Sequence, residues 1–416
     1  MKSLLLLFIL FYFSFIIVLT AGESPNIGIL QVFPADNAWN WNISSYEVHP
    51  NSDNFIDSIG PYNNLHPDFG TYWQGAPIGI PYVVVNGSQP LIDIVYTRYA
   101  DESDPGPFPI PLDAPIEGGP NSDGDRHVIA IDTTNAMLYE IYRSYPVNDH
   151  WEARSGAKYD LTNNDLRPTG WTSADAAGLP IFPGLIRYEE VYIKKEINHA
   201  LRFTVSKTRR AYIYPARHYA SESDNPDYPP MGLRFRLKAD FDISGFSEPI
   251  QVILVALKKY GMIVADNGGD WFISGAPDDR WDDEILGELK SIEGYNFEVI
   301  KTIDEEGNPI FPVNSIIEGN PVISYNFNIT NYPNPFNPIT TIRYTLSEHH
   351  FLPLKHINLS IYNILGQKIA CLVSEKQAAG VFEVQWNATG LASGIYVCTL
   401  STGQGWYKTR KLLLLE

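Results

Sequence analysis

From Ile339 onward the chain is cut into short stretches in which apolar and polar residues alternate, each bounded by Pro, Asn or Gly. A period of two puts successive side chains on opposite faces, which suits half-buried strands, and the stretches are too short for amphipathic helices. Ile339-Thr340-Thr341-Ile342-Arg343-Tyr344 alternates in this way. Ile357–Ile364 and Lys368–Val373 flank Leu365-Gly366-Gln367, which predicts a hairpin. Val381–Trp386, Gly394–Leu400 and Arg410–Leu415 supply further strands. Ahead of them, Asn331-Tyr332-Pro333-Asn334-Pro335-Phe336-Asn337-Pro338 fixes backbone angles that no helix accepts. About seven short strands with turns at regular spacing predict an immunoglobulin-like sandwich.

Four motifs in this region, NYPNPFNPITTIRY, SIYNILGQKI, LASGIYVCTL and TRKLLLL, occur in that order. Together they resemble the type A sorting domains read by type IX (Por) secretion systems. The resemblance implies a β-sandwich sorting domain over 326–416 that is recognised at the outer membrane and usually removed. The cargo is then released or fixed to surface lipopolysaccharide. It also implies the type IX machinery as a partner.

The other end carries a matching signal. Met1-Lys2 gives a positive start, Leu4–Leu19 is almost wholly apolar, and Thr20-Ala21-Gly22 supplies small residues for cleavage. The apolar run is shorter than the roughly 20 residues a membrane span needs. A signal peptide over 1–22, cleaved near Ala21 or Gly22, predicts Sec export and no permanent membrane span. The expected destination is the medium or the outer cell surface.

Between the two lies a block over 23–300, followed by a polar, Pro/Gly-punctuated linker over 301–325. Strands are predicted at Val83–Val85, Ile92–Tyr96, His127–Asp132, Met137–Tyr142, Ala200–Val205, Ala211–Tyr214 and Leu233–Ala239. Two helices are predicted, Gln251–Tyr260 and Asp282–Ile292, the second opened by a run of acids. The fold class is therefore mainly β: a β-sandwich or jelly-roll-like main domain with long loops and two helices, then the sandwich sorting domain. The two cysteines, Cys371 and Cys398, both lie in the sorting region, so the main block has no disulfide, thiol nucleophile or Cys-based zinc site. A net charge of −18 argues against nucleic-acid partners, which need a basic surface.

No GxSxG elbow, HExxH, Walker loop or GxGxxG is present. The main block instead places polar residues in aromatic-rich turns: Asp36, Asp68, Asp123, Asp125, Asp175, His218, Asp266 and Asp270. Loop carboxylates beside aromatic rings suit a glycoside hydrolase, in which one acid protonates the leaving oxygen and a second acts as base or nucleophile. The expected catalytic set is Asp125, Asp175, Asp123, Asp36 and Asp270. The expected substrate contacts are Trp39, Trp73, Trp171, Trp271, Arg217 and His218, with extracellular polysaccharide as the partner. Each has a plain structural rival, since Asp-Gly and Asp-Asn-Gly form ordinary turns and aromatic rings fill β cores. Arg209, Arg210, Arg217, Arg234 and Arg236 would suit carboxylated substrates if they shared a cleft, and would otherwise pair with nearby acids.

A glycan-binding or surface-structural protein without catalysis is the second reading. A metalloenzyme built on His127, His199 and His218 is the third, and Asp123-Gly124-Asp125 could hold calcium although no EF-hand pattern surrounds it. No cofactor is required by the first two. FPADNAWN, DGDRHVIAID, GWTSADAAGLPIFPG and YGMIVADNGGDW resemble stretches of secreted bacterial proteins to which no activity attaches, so that resemblance contributes no catalytic residue.

Overall fold

The computed structural model describes residues 22–28, 30–312, 329–346, 355–363, 367–377, 380–402 and 407–415. The apolar leader up to Ala21, the linker residues 313–325 and the Leu365-Gly366 turn lie outside the described residues. The chain divides into two compact units, one ending at Pro312 and one beginning at Val313. Both are built mainly from strands, with several sheets and few helices.

The C-terminal unit is a two-sheet antiparallel sandwich. Ile329–Tyr332, Ile339–Leu346 and Gly380–Asn387 form one sheet, with the middle segment in the centre. Lys368–Gln377, Lys355–Asn363, Gly394–Thr402 and Tyr407–Leu414 form the other, in that order. Alternate residues, among them Ile342, Tyr344, Leu359, Ile361, Trp386, Cys398, Leu400 and Leu412, fill the core between them. The Pro/Asn-rich entry loop is latched to the last strand. Asn334 Nδ2 donates to the Lys411 carbonyl, Asn334 Oδ1 accepts from Leu413 N, and Phe336 exchanges backbone bonds with Leu413 and Leu415. The first and last motifs of this region are thus two sides of one contact. Cys371 is exposed and Cys398 buried, both as free thiols.

In the main unit the largest sheet has six strands of mixed direction. Their order is His66–Asp68, Phe272–Ser274, Leu201–Val205, Met262–Asn267, Arg234–Leu237 and Phe297–Val299. One side of it carries a cluster of Phe203, Phe235, Trp271 and Phe297 in mutual ring contact. A four-stranded sheet runs Ser155–Asp160, Met137–Tyr142, Val128–Asp132, Tyr82–Val85. The loop from Arg167 to Arg187 bonds to both sheets. Ile181 N and Phe182 N donate to Glu140 of the smaller one, and Ile186 N donates to the Ser274 carbonyl of the larger.

Most predicted elements are present within a residue or two, and the exceptions have local causes. Ala211–Tyr214 makes only one bridge, Tyr212 with Met231, because Pro215 and the facing Pro229-Pro230 lack backbone donors. The predicted helix from Asp282 is shorter: Asp282 caps Glu284 N and Ile285 N, α-helix covers Asp283–Gly287, and a 3₁₀ turn covers Glu288–Ser291. Gly287 lies at that change, where a residue without a side chain supports the α-helix poorly. A helix not foreseen, Ser52–Ile59, buries Phe55, Ile56 and Ile59 and ends at Gly60. Residues 301–312 are packed against the main unit rather than free as linker. Lys301 N donates to the Glu47 carbonyl, Tyr46 Oη to the Ile310 carbonyl, and Phe311 lies edge-on to Trp41. A chain segment whose polar backbone groups are already paired behaves as part of the fold.

Candidate functional site

Register places a charged row across the six-stranded sheet. Phe203 pairs with Ile273 and Asp68 with Ser274, so Arg202, Ser274 and Asp68 fall side by side on one face. Thr204 pairs with Asp266, which brings that carboxylate to the same face after a bulge at Phe203/Thr204. Arg202 is the hub. Its Nε and Nη2 donate to the two oxygens of Asp175 at 2.7 and 2.8 Å, its Nη1 donates to Ser274 Oγ at 2.7 Å, and Nη2 also reaches Asp266 Oδ2 at 3.3 Å. The guanidinium and the Asp175 carboxylate are 5% and 0% exposed. Such a two-point fork is the strong geometry for burying this pair.

Two glycines of the loop around Asp175 allow close backbone approach. Gly178 sits at φ +69°, and a Cβ there would lie 2.5 Å from the Trp171 carbonyl oxygen. At Gly184 a Cβ would lie 2.7 Å from the Arg202 Cβ. The GWTSADAAGLPIFPG stretch is therefore a loop wrapped tightly around the Arg202 side chain.

His127 forms the second charged pair. Its Nδ1 lies 2.7 Å from Glu117 Oε2 and its Nε2 lies 3.0 Å from the Ala174 carbonyl. Both partners are acceptors, so both ring nitrogens carry protons and the ring is an imidazolium. Burial opposes that charge, but the Glu117 carboxylate outweighs it and raises the His127 pKa to about 9. Burial likewise disfavours ionised Glu117, yet His127 holds its pKa below the usual range.

Three more carboxyl groups surround these cations. Burial, together with the Asp175 charge, raises Asp266 to about 7 against the opposing pull of Arg202 and His127. Asp68 is also raised, by burial first and then by Glu117, while Arg202 opposes. Asp68 is exposed and Asp266 half-buried, so solvent reaches both while the surrounding protein disfavours their charged forms. Glu140, wholly buried, is raised to about 7 by burial although Ile181 N and Phe182 N donate to it at 2.9 Å.

His218 lies beside this cluster. Its Nδ1 donates to the Ala176 carbonyl at 2.7 Å, and its Nε2 lies 4.0 Å from Glu102 Oε2. The segment is sewn to the strand bearing Asp266: Ala177 N donates to the Ala265 carbonyl, His218 N to the Ala177 carbonyl and Asn267 Nδ2 to the Ala220 carbonyl.

Of the residues expected from sequence, Asp175, His127 and His218 meet here, with Asp125 near enough to act on the His127 and Tyr142 charges. Asp175 is fully committed to Arg202, so it is a buried counter-ion rather than a free acid or base. Asp123 is an exposed turn residue whose carbonyl accepts from Arg143. Asp36 is exposed and accepts from Asn164 Nδ2, and Asp270 accepts from Ser206 N and Oγ beyond the end of the Leu201–Val205 strand. Trp39 and Trp271 are core residues and offer no ring face to a ligand. Trp73 is 67% exposed, and Trp171 is half-buried beside the Arg167 guanidinium. Arg217 is held by the Arg167 carbonyl and Thr169.

The histidine triad is not assembled. His127 has spent both nitrogens, and His199 donates Nδ1 to the Ala200 carbonyl with Nε2 between Arg187 and Glu190. Among the described residues no group of three His, Cys, Asp or Glu side chains is placed to hold a metal ion, Asp123 and Asp125 included. The arginines do not share a cleft either: Arg236 pairs with Glu298, Arg210 with Asp224, and Arg234 is buried.

Arg202, Glu117 and Glu140 were missed by sequence reasoning. The signal for two of them was there. Arg202 interrupts the apolar run HALRFTV and Glu140 the run MLYEIY, and a charge buried inside a strand needs a partner.

Among the described residues no helix is long and apolar enough to cross a membrane. No curated protein matches the chain. Among solved structures, dimeric latent PorU from Porphyromonas gingivalis is similar over 21% of this chain and 9% of its own, at 15% identity. Its TM-score of 0.17 is too low to carry an argument. Residues 330–415 match the family model of the secretion system C-terminal sorting domain, and with the latched sandwich described above they identify this end of the chain as a type IX sorting domain directing export to the cell surface or beyond.

Proposed function

We propose that the exported main unit is a carbohydrate-active hydrolase that cleaves glycosidic bonds in extracellular polysaccharide at the charged cluster around Arg202. The observation carrying this reading is Asp266, a solvent-reachable carboxyl whose pKa is lifted to about 7 by burial and by the Asp175 charge. An acid protonated near neutral pH can donate to a leaving glycosidic oxygen. Asp68, in the same Arg202 field, serves as the second carboxylate, removing a proton from water or attacking the sugar carbon. The Glu117–His127 and Asp175–Arg202 pairs fix the charges around them. Two of the expected roles move in this reading, from Asp125 and Asp175 to Asp266 and Asp68.

The test is release of reducing ends from a polysaccharide panel by the purified protein. Asp266→Asn is expected to lower kcat by about 10²- to 10⁴-fold with melting temperature unchanged or higher. Asp68→Asn should do the same, whereas Asp36→Asn should leave the rate intact. Full activity in both the Asp266 and the Asp68 variants rejects the assignment. Binding without cleavage favours the glycan-binding reading, for which Tyr62 and Tyr295, exposed and 6.2 Å apart between ring centres, are the platform.

A further inference from the structure

The main unit holds its own first residues in a way that distinguishes the two candidate cleavage points of the leader. Gly22 N donates to Asp279 Oδ2 at 2.9 Å, and Asp279 N donates back to the Gly22 carbonyl at 2.9 Å. Two residues on, Ser24 N donates to Asp278 Oδ2 at 2.8 Å and Ser24 Oγ to the Pro277 carbonyl at 2.7 Å. Asp278 is wholly buried and forked by Arg280, which also reaches Glu23 at 3.3 Å. Tyr82 Oη then grips the Pro25 carbonyl, and Ile27, Leu30 and Val32 pack on the core. No slack separates Gly22 from the fold.

We infer that the leader is cut between Ala21 and Gly22, and that the new Gly22 ammonium is captured by the Asp279 carboxylate. Water adds across the Ala21–Gly22 amide at the signal protease, leaving a carboxylate on Ala21 and an ammonium on Gly22. That nitrogen is the atom already donating to Asp279, so hydrolysis turns a neutral hydrogen bond into a charge-assisted one. Cutting after Gly22 instead would discard both halves of the reciprocal Gly22–Asp279 contact. The site is thus a receptor for the processed end of the same chain, built from backbone and a carboxylate, a known mode of amine capture.

The experiment uses the full chain exported with its own leader. Mass analysis of the exported protein is expected to give Gly22 as the first residue. An amine-reactive ester at pH 8 then probes the terminal amine, whose ordinary pKa is about 8. Pairing with a carboxylate favours the unreactive ammonium, so labelling should be roughly threefold slower than in Asp279→Asn. Asp279 is exposed, and circular dichroism checks that the variant folds. A protein retaining Ala21, whose amine is displaced by one residue, should label at the Asp279→Asn rate. An exported chain that begins at Glu23 or later overturns the inference, as does equal labelling of wild type and Asp279→Asn.

Discussion

Each unit carries an arginine–carboxylate pair across neighbouring elements, and the two pairs have opposite settings. In the sorting domain Arg343 and Glu383 face each other across paired strands at 3.7 Å, 62% and 60% exposed. In the main unit Arg202 and Asp175 meet in a two-point fork, 5% and 0% exposed. Water screens the first pair and makes it nearly dispensable, whereas the second has given up its hydration and depends on its partner. The sorting domain thus keeps charge at its rim around an apolar core. The main unit buries charge and uses it to set the protonation of groups that solvent still reaches.

The largest expected effect comes from Arg202→Leu. It strands the Asp175 carboxylate in the interior and should cost about 3–5 kcal/mol. Hydrogen exchange resolved by peptide should find faster exchange across Leu201–Val205 and no change across Lys355–Asn363. Unchanged protection at Leu201–Val205 would break the contrast.

A smaller effect is expected from pH. The folded pKa of His127, about 9, lies above the ordinary 6.5. Its contribution is therefore complete below pH 6.5 and is lost as pH rises through about 9. Urea midpoints of the main unit should fall across that window, and Glu117→Gln should flatten the slope by removing the partner. Asp266 and Glu140, also raised, act at lower pH: their contribution is present below about pH 4 and lost as pH approaches 7. Glu190, held down to about 2 mainly by Arg187 against burial, acts in reverse: its contribution is complete above about pH 4.5 and is lost as pH falls from there through 2.

The smallest effect sharpens the other side. Glu383→Gln in the sorting domain should change stability by less than about 0.5 kcal/mol, measured by the same exchange experiment at low and moderate salt. A loss several times larger would mean that the exposed pair is part of a network and that rim and interior differ less than their burial implies.

Legibility from sequence follows the same division. The sorting domain's strands were readable because alternation is local and its partners are mostly neighbouring strands, as with Lys355–Asn363 and Lys368–Gln377. The main unit joins His66–Asp68 to Phe272–Ser274 in parallel across most of its length, and no local pattern encodes that pairing. Asp175 is flanked by Ala174, Ala176, Ala177 and Gly178 in a loop, but the arginine that neutralises it is on the Leu201–Val205 strand. His127 and His199 sit beside strands, as read, whereas His218 lies in a loop because the strand expected at Ala211–Tyr214 does not form, and the carbonyls that take up the His127 and His218 nitrogens come from distant segments. Trp39 and Trp271 had the composition of a sugar platform and became core because burying large rings stabilises more than presenting them.

The sequence by itself determined the export address, the mainly β architecture and the absence of cysteine from the main block. Each of these is written in residue order or composition. Only the tertiary structure decided that Asp175 is a counter-ion, that His127 is a cation and that the Asp266 carboxyl is pushed well above the usual carboxylate range. Protonation depends on burial and on charges within a few ångströms. In this protein those neighbours are set by the register of strands distant in sequence.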